Sequence, residues 1–204
     1  MIVIINYGMG NSGSILNMLK KIGADAIISS NIEDIKNANK LILPGVGSFD
    51  NGIENLVNLG LIPVLNSKIN EDKVPILGIC LGMQLFTRGS EEGNLGGLGW
   101  IDGQTVRFRF DEANKCLKIP NMDWNNVHIC KEGLLFKDIY EESRFYFVHS
   151  YHVVCNDEKD ILTKTFYGYE FVSSLQNRNI MGVQFHPEKS HKYGMKLLKN
   201  FIEL

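Results

Sequence analysis

The chain has 204 residues, 44% apolar and 22% charged, with 21 basic against 23 acidic side chains and a net charge of −2. That is the composition of one ordinary globular domain, able to bury a core without disulfides or metal. The even charge balance argues against a nucleic-acid or membrane-surface protein, and no apolar run approaches the roughly 18 residues that cross a bilayer.

The opening Met1-Ile2-Val3-Ile4-Ile5 has no basic n-region or small-residue cleavage site, so it reads as a buried first strand and not a signal peptide. In the turn that follows, Gly8, Gly10 and Gly13 fit the dinucleotide pattern G-x-G-x-x-G. That fingerprint also needs an acidic residue at the end of the second strand, where Ser29, Ser30 and Asn31 stand. A tight strand-to-helix turn is the preferred reading, and a NAD-binding Rossmann site the alternative. Residues 14–22 predict a helix with Ile15, Leu16, Leu19 and Ile22 on one face, stopped by Gly23. Residues 26–28 predict a second strand, and Asn31 caps a short helix with Glu33 and Asp34 in its first turn. Residues 40–43 and 76–79 are the third and fourth strands, with helical segments between them. This alternation predicts a mostly parallel central sheet covered on both faces, a three-layer α/β domain.

Two glycine-rich turns stand at strand ends. In Pro44-Gly45-Val46-Gly47, glycines flanking Val46 let the backbone turn sharply and leave amides free to face a ligand. Gly78-Ile79-Cys80-Leu81-Gly82 is G-x-C-x-G, the cysteine form of a nucleophile elbow. A nucleophile on so sharp a turn needs small neighbours two residues away on each side. The helix expected behind it favours the reactive thiolate, and the Leu81 amide points where a tetrahedral oxyanion would form.

From Gly99 onward short strand-like runs take over, at residues 105–110, 145–148, 152–154, 161–166, 171–175 and 181–185. A closing helix over 193–202 carries Met195, Leu198 and Phe201 on one stripe. No linker or repeat divides the chain, which predicts one α/β domain over residues 1–204 with a β-rich second half.

A cysteine nucleophile needs a base. His186 lies at the end of an apolar run and Glu188 two residues on, so in extended backbone the carboxylate reaches the ring and completes a triad. His149 and His152 are rivals, but Tyr151 and Val154 stand two residues beyond them. His128 and His191 read as ordinary surface or core histidines. The remaining cysteines, Cys116, Cys130 and Cys155, lack such surroundings and read as packing or surface thiols. With wide irregular spacings and no C-x-x-C, the four cysteines fit a reducing, cytoplasmic setting and no metal site.

With Cys80, His186 and Glu188 in place, the chain resembles the class I (triad) glutamine amidotransferases. The likeness runs from Asn6-Tyr7-Gly8 through the turns at Pro44 and Cys80 to Ser90-Glu91-Glu92, Pro120-Asn121-Met122-Asp123-Trp124-Asn125 and Gln184-Phe185-His186-Pro187-Glu188. It implies a flavodoxin-like three-layer fold, hydrolysis of L-glutamine through a Cys80 thioester, and no cofactor. It also implies oxyanion-hole amides from Val46, Gly47 and Leu81, and substrate contacts from Gln84, Glu92, Ser150 and Tyr151. Read without the resemblance, Glu91 and Glu92 are a solvated acidic pair.

The branch of the family it is most similar to passes ammonia to a separate (β/α)8 barrel cyclase of histidine biosynthesis, as a heterodimer. Asn121, Met122, Asp123 and Trp124 match that branch's partner-facing loop. Asn121 stands where His is usual, Asp123 where Gly is usual, and Asn6 where Asp is usual. The alternative is a paralogue with the same chemistry and another acceptor, such as a synthase amidating a surface-polysaccharide sugar. A glutaminase domain occupies the whole length, so the acceptor is expected on another chain.

Overall fold

In a computed structural model of the chain, which describes residues 1–140 and 142–204, β1 (Ile2–Ile5) is buried along its whole length. Its residues divide by the period-2 rule: Val3 and Ile5 enter one core, Ile2 and Ile4 the other. Chain order continues with α1 (Ser12–Lys21), β2 (Ala26–Ser29), α2 (Ile32–Lys36), β3 (Lys40–Leu43), α3 (Phe49–Asn58) and α4 (Leu61–Asn66), which runs into a π-helical turn over Ser67–Glu71. Then come β4 (Ile76–Ile79) and the one-turn α5 (Leu81–Gln84). The β-rich half holds β5 (Gly103–Arg107), β6 (Asn121–Asn126), β7 (His128–Ile129), β8 (Arg144–His149), β9 (Tyr151–Cys155), β10 (Ile161–Tyr167), β11 (Tyr169–Asn177) and β12 (Ile180–Val183), before α6 (His191–Glu203).

The main sheet runs β2-β1-β3-β4-β12-β11-β10-β7, with β9 and β5 attached through β11. It is parallel from β2 to β12 and antiparallel from β11 onward. One core contains Leu56 of α3, Leu61 of α4 and Ile35 of α2; the other contains Leu19 of α1 and Leu198 and Phe201 of α6. Each such fully buried side chain contributes roughly 1.5–3 kcal/mol by leaving water. The two cores are the inner surfaces of the three expected layers.

The first half follows the sequence reading within two residues. Asn31 caps α2 by accepting from the Glu33 amide at 2.8 Å. Gly8 and Gly10 have φ of 82° and 87°, as a tight turn requires. A Cβ on Gly13 would meet nothing within 4 Å. The dinucleotide fingerprint uses its third glycine for close helix–strand packing, so the turn reading holds and the Rossmann alternative loses its physical basis.

The second half needs correction in two places. The 105–110 strand begins and ends earlier, at Gly103 and Arg107, and Phe108 leaves the ladder for an aromatic cluster with His152, Tyr169 and Phe171. The segment expected to be a partner-facing loop is strand β6, paired antiparallel with β8 from Asn121↔His149 to Asn126↔Arg144. Its polar side chains conceal a strand whose stability comes from the ladder, with Phe145 and Phe147 of β8 supplying the buried face. Among the described residues, no helix is long and apolar enough to cross a membrane.

Candidate active site

Four parallel strands end at one edge and deliver the site. β1 leads into Tyr7, β3 into Pro44, β4 into Cys80, and β12 into Gln184 and His186. This is the carboxyl edge of a parallel sheet, where open α/β folds place ligands. The β4–β12 pairing, with Ile79 opposite Val183, brings the Cys80 and His186 segments together, and the Cys80 amide donates to Val183 O at 2.8 Å.

Cys80 has φ 54° and ψ −112°, a conformation costly for any residue with a Cβ, of order 1–3 kcal/mol. The surrounding glycines allow it. A Cβ on Gly78 would lie 2.6 Å from the Phe86 ring, and one on Gly82 only 1.9 Å from Leu43 O. Small residues at −2 and +2 are therefore steric requirements. The helix behind the thiol is a single turn, so its dipole is slight, and the positive partner for the sulfur is His186. The Leu81 amide, first in α5, has no acceptor in its own helix.

His186 Nδ1 is 2.8 Å from Glu188 Oε1, both side chains 2% exposed. Glu188 reaches the ring through a 3₁₀ turn over Pro187–Lys189 instead of the expected extended backbone. Ser190 locks the turn: its hydroxyl donates to His186 O at 2.6 Å and accepts from the Tyr146 amide at 3.0 Å. Burial alone would lower the His186 pKa; the Cys80 thiolate and then Glu188 outweigh it and raise it. His186 Nε2 has no well-formed hydrogen bond but lies within reach of that sulfur charge, an arrangement that tightens when substrate arrives.

Val46, Gly47, Cys80, Leu81, Gln84, Glu92, Ser150, Tyr151 and His186 line one cleft of about 250 Å³, with Pro120, Val148 and His149. Its volume suits a ligand of amino-acid size. Gln84 is buried, its amide donating to Tyr151 O and Gln184 Oε1, each at 3.1 Å. Glu92 caps α3 from outside, its Oε2 accepting from the Phe49 amide at 2.9 Å. Partial burial raises its pKa, the Phe49 amide opposes this, and Asp50 adds to it. Glu91 instead pairs with Arg109 on the surface at 3.0 Å. The two neighbouring acids are thus separate residues with different partners.

Two site residues escaped the sequence reading. Gln184 is fully buried and its amide lies 3.6 Å from Cys80 Sγ. The signal was available, since Gln184 precedes His186 by two in an apolar run and so projects to the same side. Tyr7, 1% exposed, donates its hydroxyl to Pro44 O at 2.6 Å; nothing local to the sequence announces that contact.

The rival histidines are bonded to groups other than Cys80 and Glu188. His152 sits in the aromatic cluster, bonded to the Tyr169 hydroxyl at 2.9 Å. His149 places Nδ1 2.7 Å from Tyr151 O and Nε2 3.3 Å from Asn121 Nδ2. The acceptor at Nδ1 fixes that nitrogen as the N–H, leaving Nε2 to accept from Asn121. Asn121, expected at a partner interface, is instead fully buried against His149, while Met122 is 60% exposed and Asp123 and Trp124 also face outward. The chain's other thiols, Cys116, Cys130 and Cys155, do not line the cleft.

Burial pushes the His149 pKa down to about 3, against about 6.5 for a free imidazole. The unfolded chain takes this proton first, so the contribution to stability is complete above pH ~6.5 and drains away as pH falls toward 3. His149 is expected to stay neutral in imidazole NMR spectra down to pH ~4.5; a midpoint near 6.5 in the folded protein would contradict this environment.

A family model described as glutamine amidotransferase class-I matches residues 3–204. The chain is 59% identical over 203 residues to the imidazole glycerol phosphate synthase subunit HisH 2 of Methanococcus maripaludis, covering 100% of this chain and 99% of that one. It is 50% identical to the protein of the same name from Pseudomonas aeruginosa, covering all of both chains. Among solved structures, a putative GMP synthase subunit from Thermoplasma acidophilum is similar in fold, with a TM-score of 0.73, 18% identity, and coverage of 99% of this chain and 92% of that one.

Proposed function

The chain belongs to the class I glutamine amidotransferases, and from that premise we propose that it is the glutaminase subunit of imidazole glycerol phosphate synthase, hydrolysing L-glutamine and passing ammonia to a separate cyclase. The observation that carries the chemistry is the strained Cys80 set against the His186–Glu188 pair at one strand edge.

Cys80 Sγ attacks the glutamine side-chain carbonyl carbon, and the carbonyl electron pair moves onto oxygen. The amides of Leu81 and of Val46 or Gly47 receive that oxyanion. His186 gives its Nε2 proton to the nitrogen, the C–N bond breaks, and ammonia leaves a thioester. His186 then takes a proton from water, whose oxygen attacks the thioester through a second oxyanion; the C–S bond breaks, glutamate leaves, and the Cys80 thiolate is restored beside protonated His186. Glu188 holds the imidazole orientation and its positive charge. Glu92 receives the α-ammonium group through the carboxylate oxygen not used on Phe49, while backbone at Ser150 and Tyr151 meets the α-carboxylate. Gln84 and Gln184 order the cleft floor.

Glu92→Gln keeps the capping acceptor and removes the charge. It is expected to raise the KM for glutamine about tenfold with a smaller change in kcat, as for loss of uniform binding. An unchanged KM in steady-state ammonia release would remove Glu92 from substrate recognition.

The acceptor is a (β/α)8 cyclase subunit binding over the outward side chains of β6, Met122, Asp123 and Trp124, in the cytoplasm, where the free Cys80 thiol stays reduced. A second reading keeps the chemistry and changes the acceptor, because Asp123 sets an exposed negative charge between Met122 and Trp124. Ammonia release from glutamine, measured with and without cyclase and its nucleotide substrate, separates them. Stimulation supports the histidine-pathway subunit; activity with neither binding nor stimulation supports another synthase.

A further inference from the structure

Tyr7 is a buried titratable group that the mechanism above leaves unused. It follows β1 in the same glycine-rich turn that resembled a dinucleotide fingerprint, and its hydroxyl donates to Pro44 O at 2.6 Å. Burial, and then the Cys80 charge, hold its pKa far above the ordinary tyrosine value, so the hydroxyl keeps its proton within electrostatic reach of the nucleophile. Gly45 is wedged beside it. A Cβ there would lie 2.8 Å from the Tyr7 hydroxyl, 2.7 Å from the Gly82 amide nitrogen and 2.7 Å from Leu81 Cβ. The turn presses on the same loop at further points. A Cβ on Gly10 would come 3.0 Å from Gly45 N, and one on Gly47 would come 2.7 Å from Met9 Cε.

Beyond the wedged Gly45 the loop comes out to the surface. Val46 is 52% exposed, Gly47 is exposed with φ 124°, and glycine peptides rotate with little steric resistance. The Pro44 carbonyl, bonded to Tyr7, and the wedged Gly45 fix the chain just before the Val46 and Gly47 amides. We propose that Tyr7 is a positioning residue for the oxyanion loop: by holding the Pro44 carbonyl, its hydroxyl sets the direction of the Val46 and Gly47 amides across from Cys80. The inference rests on the glutaminase reading and adds a residue to it. Hydrogen-bond donors to an oxyanion act only when well aimed, so misdirection costs turnover more than substrate binding.

Tyr7→Phe removes the hydroxyl while the ring fills the same buried space, and a melting curve confirms that the variant is folded. Three quantities are compared with the wild type: kcat, the KM for glutamine, and the rate of Cys80 alkylation by iodoacetamide, followed by peptide mass spectrometry. Alkylation joins sulfur to a saturated carbon and expels iodide, so no oxyanion forms. The expected result is a kcat lowered about 10- to 100-fold, with KM and alkylation rate each within about threefold. An unchanged kcat overturns the proposal. So does a parallel fall in alkylation, which would place the hydroxyl's action on the thiol itself, or a loss confined to KM. A wild type unable to release ammonia, alone or with the cyclase, overturns the glutaminase reading and this inference with it.

Discussion

Cys80→Ala is expected to lower ammonia release from glutamine by about 10⁴-fold or more, because the covalent route is lost and only the binding and oxyanion contacts remain. The same variant should bind the cyclase as the wild type does. Cys80 is 7% exposed at the cleft floor, so removing its sulfur leaves the outer surface unaltered. An ammonia assay and a binding titration on one preparation check both halves; undiminished turnover would refute the thioester mechanism. The strain at this position supplies a further comparison. Alanine keeps the Cβ and with it the cost of φ 54° and ψ −112°, whereas glycine adopts that backbone freely. Cys80→Gly should therefore melt above Cys80→Ala, by roughly 2–4 °C per kcal/mol relieved in a domain of this size. Equal melting points would show that the elbow stores no strain.

Gly82→Ala is expected to be among the most damaging single-methyl changes to the fold, and it falls beside Cys80. The new Cβ would stand 1.9 Å from Leu43 O and 2.8 Å from Leu43 C, both backbone atoms at the end of β3. No rotamer change relieves a clash with a carbonyl, so either the elbow or the strand end must move. Overpacking of this kind costs typically 1–3 kcal/mol, and a backbone obstacle puts this site at or above the upper end. Since Leu43 leads directly into the loop 44–47, the displacement also reaches the proposed oxyanion amides, and activity should fall beyond what the lost stability explains. Gly13→Ala, with nothing within 4 Å of its Cβ, is the control and should fold and turn over normally. Chemical denaturation and ammonia release on the pair test this. Equal stabilities would mean the strand end yields without cost.

These two residues show why part of the site was legible before any fold was known. The elbow's glycines stand at fixed offsets from Cys80, and Glu188 stands two residues from His186, so both patterns can be read in adjacent letters, although what the glycines avoid, Leu43 O and the Phe86 ring, comes from elsewhere in the chain. The path was less secure than the outcome, since Glu188 arrives through a 3₁₀ turn and not an extended segment. Glu91 and Glu92 show the opposite case. As neighbours they are indistinguishable, and one faces Arg109 while the other meets the Phe49 amide only because α3 begins across the cleft.

By itself the sequence determined the buried first strand, the three-layer α/β order, the sharp turn at Cys80 and the contact of Glu188 with His186. Each of these is set by local period, local sterics or a motif in which the chemistry lies within a few residues. Tertiary structure alone decided that β6 is a strand, that Asn121 lies beneath the surface against His149, and that Gln184 touches a sulfur 104 residues away. It also decided that Tyr7 holds the carbonyl at Pro44. Those contacts exist because parallel strands distant in the chain end side by side, and pairing between strands carries no mark in the sequence of either one.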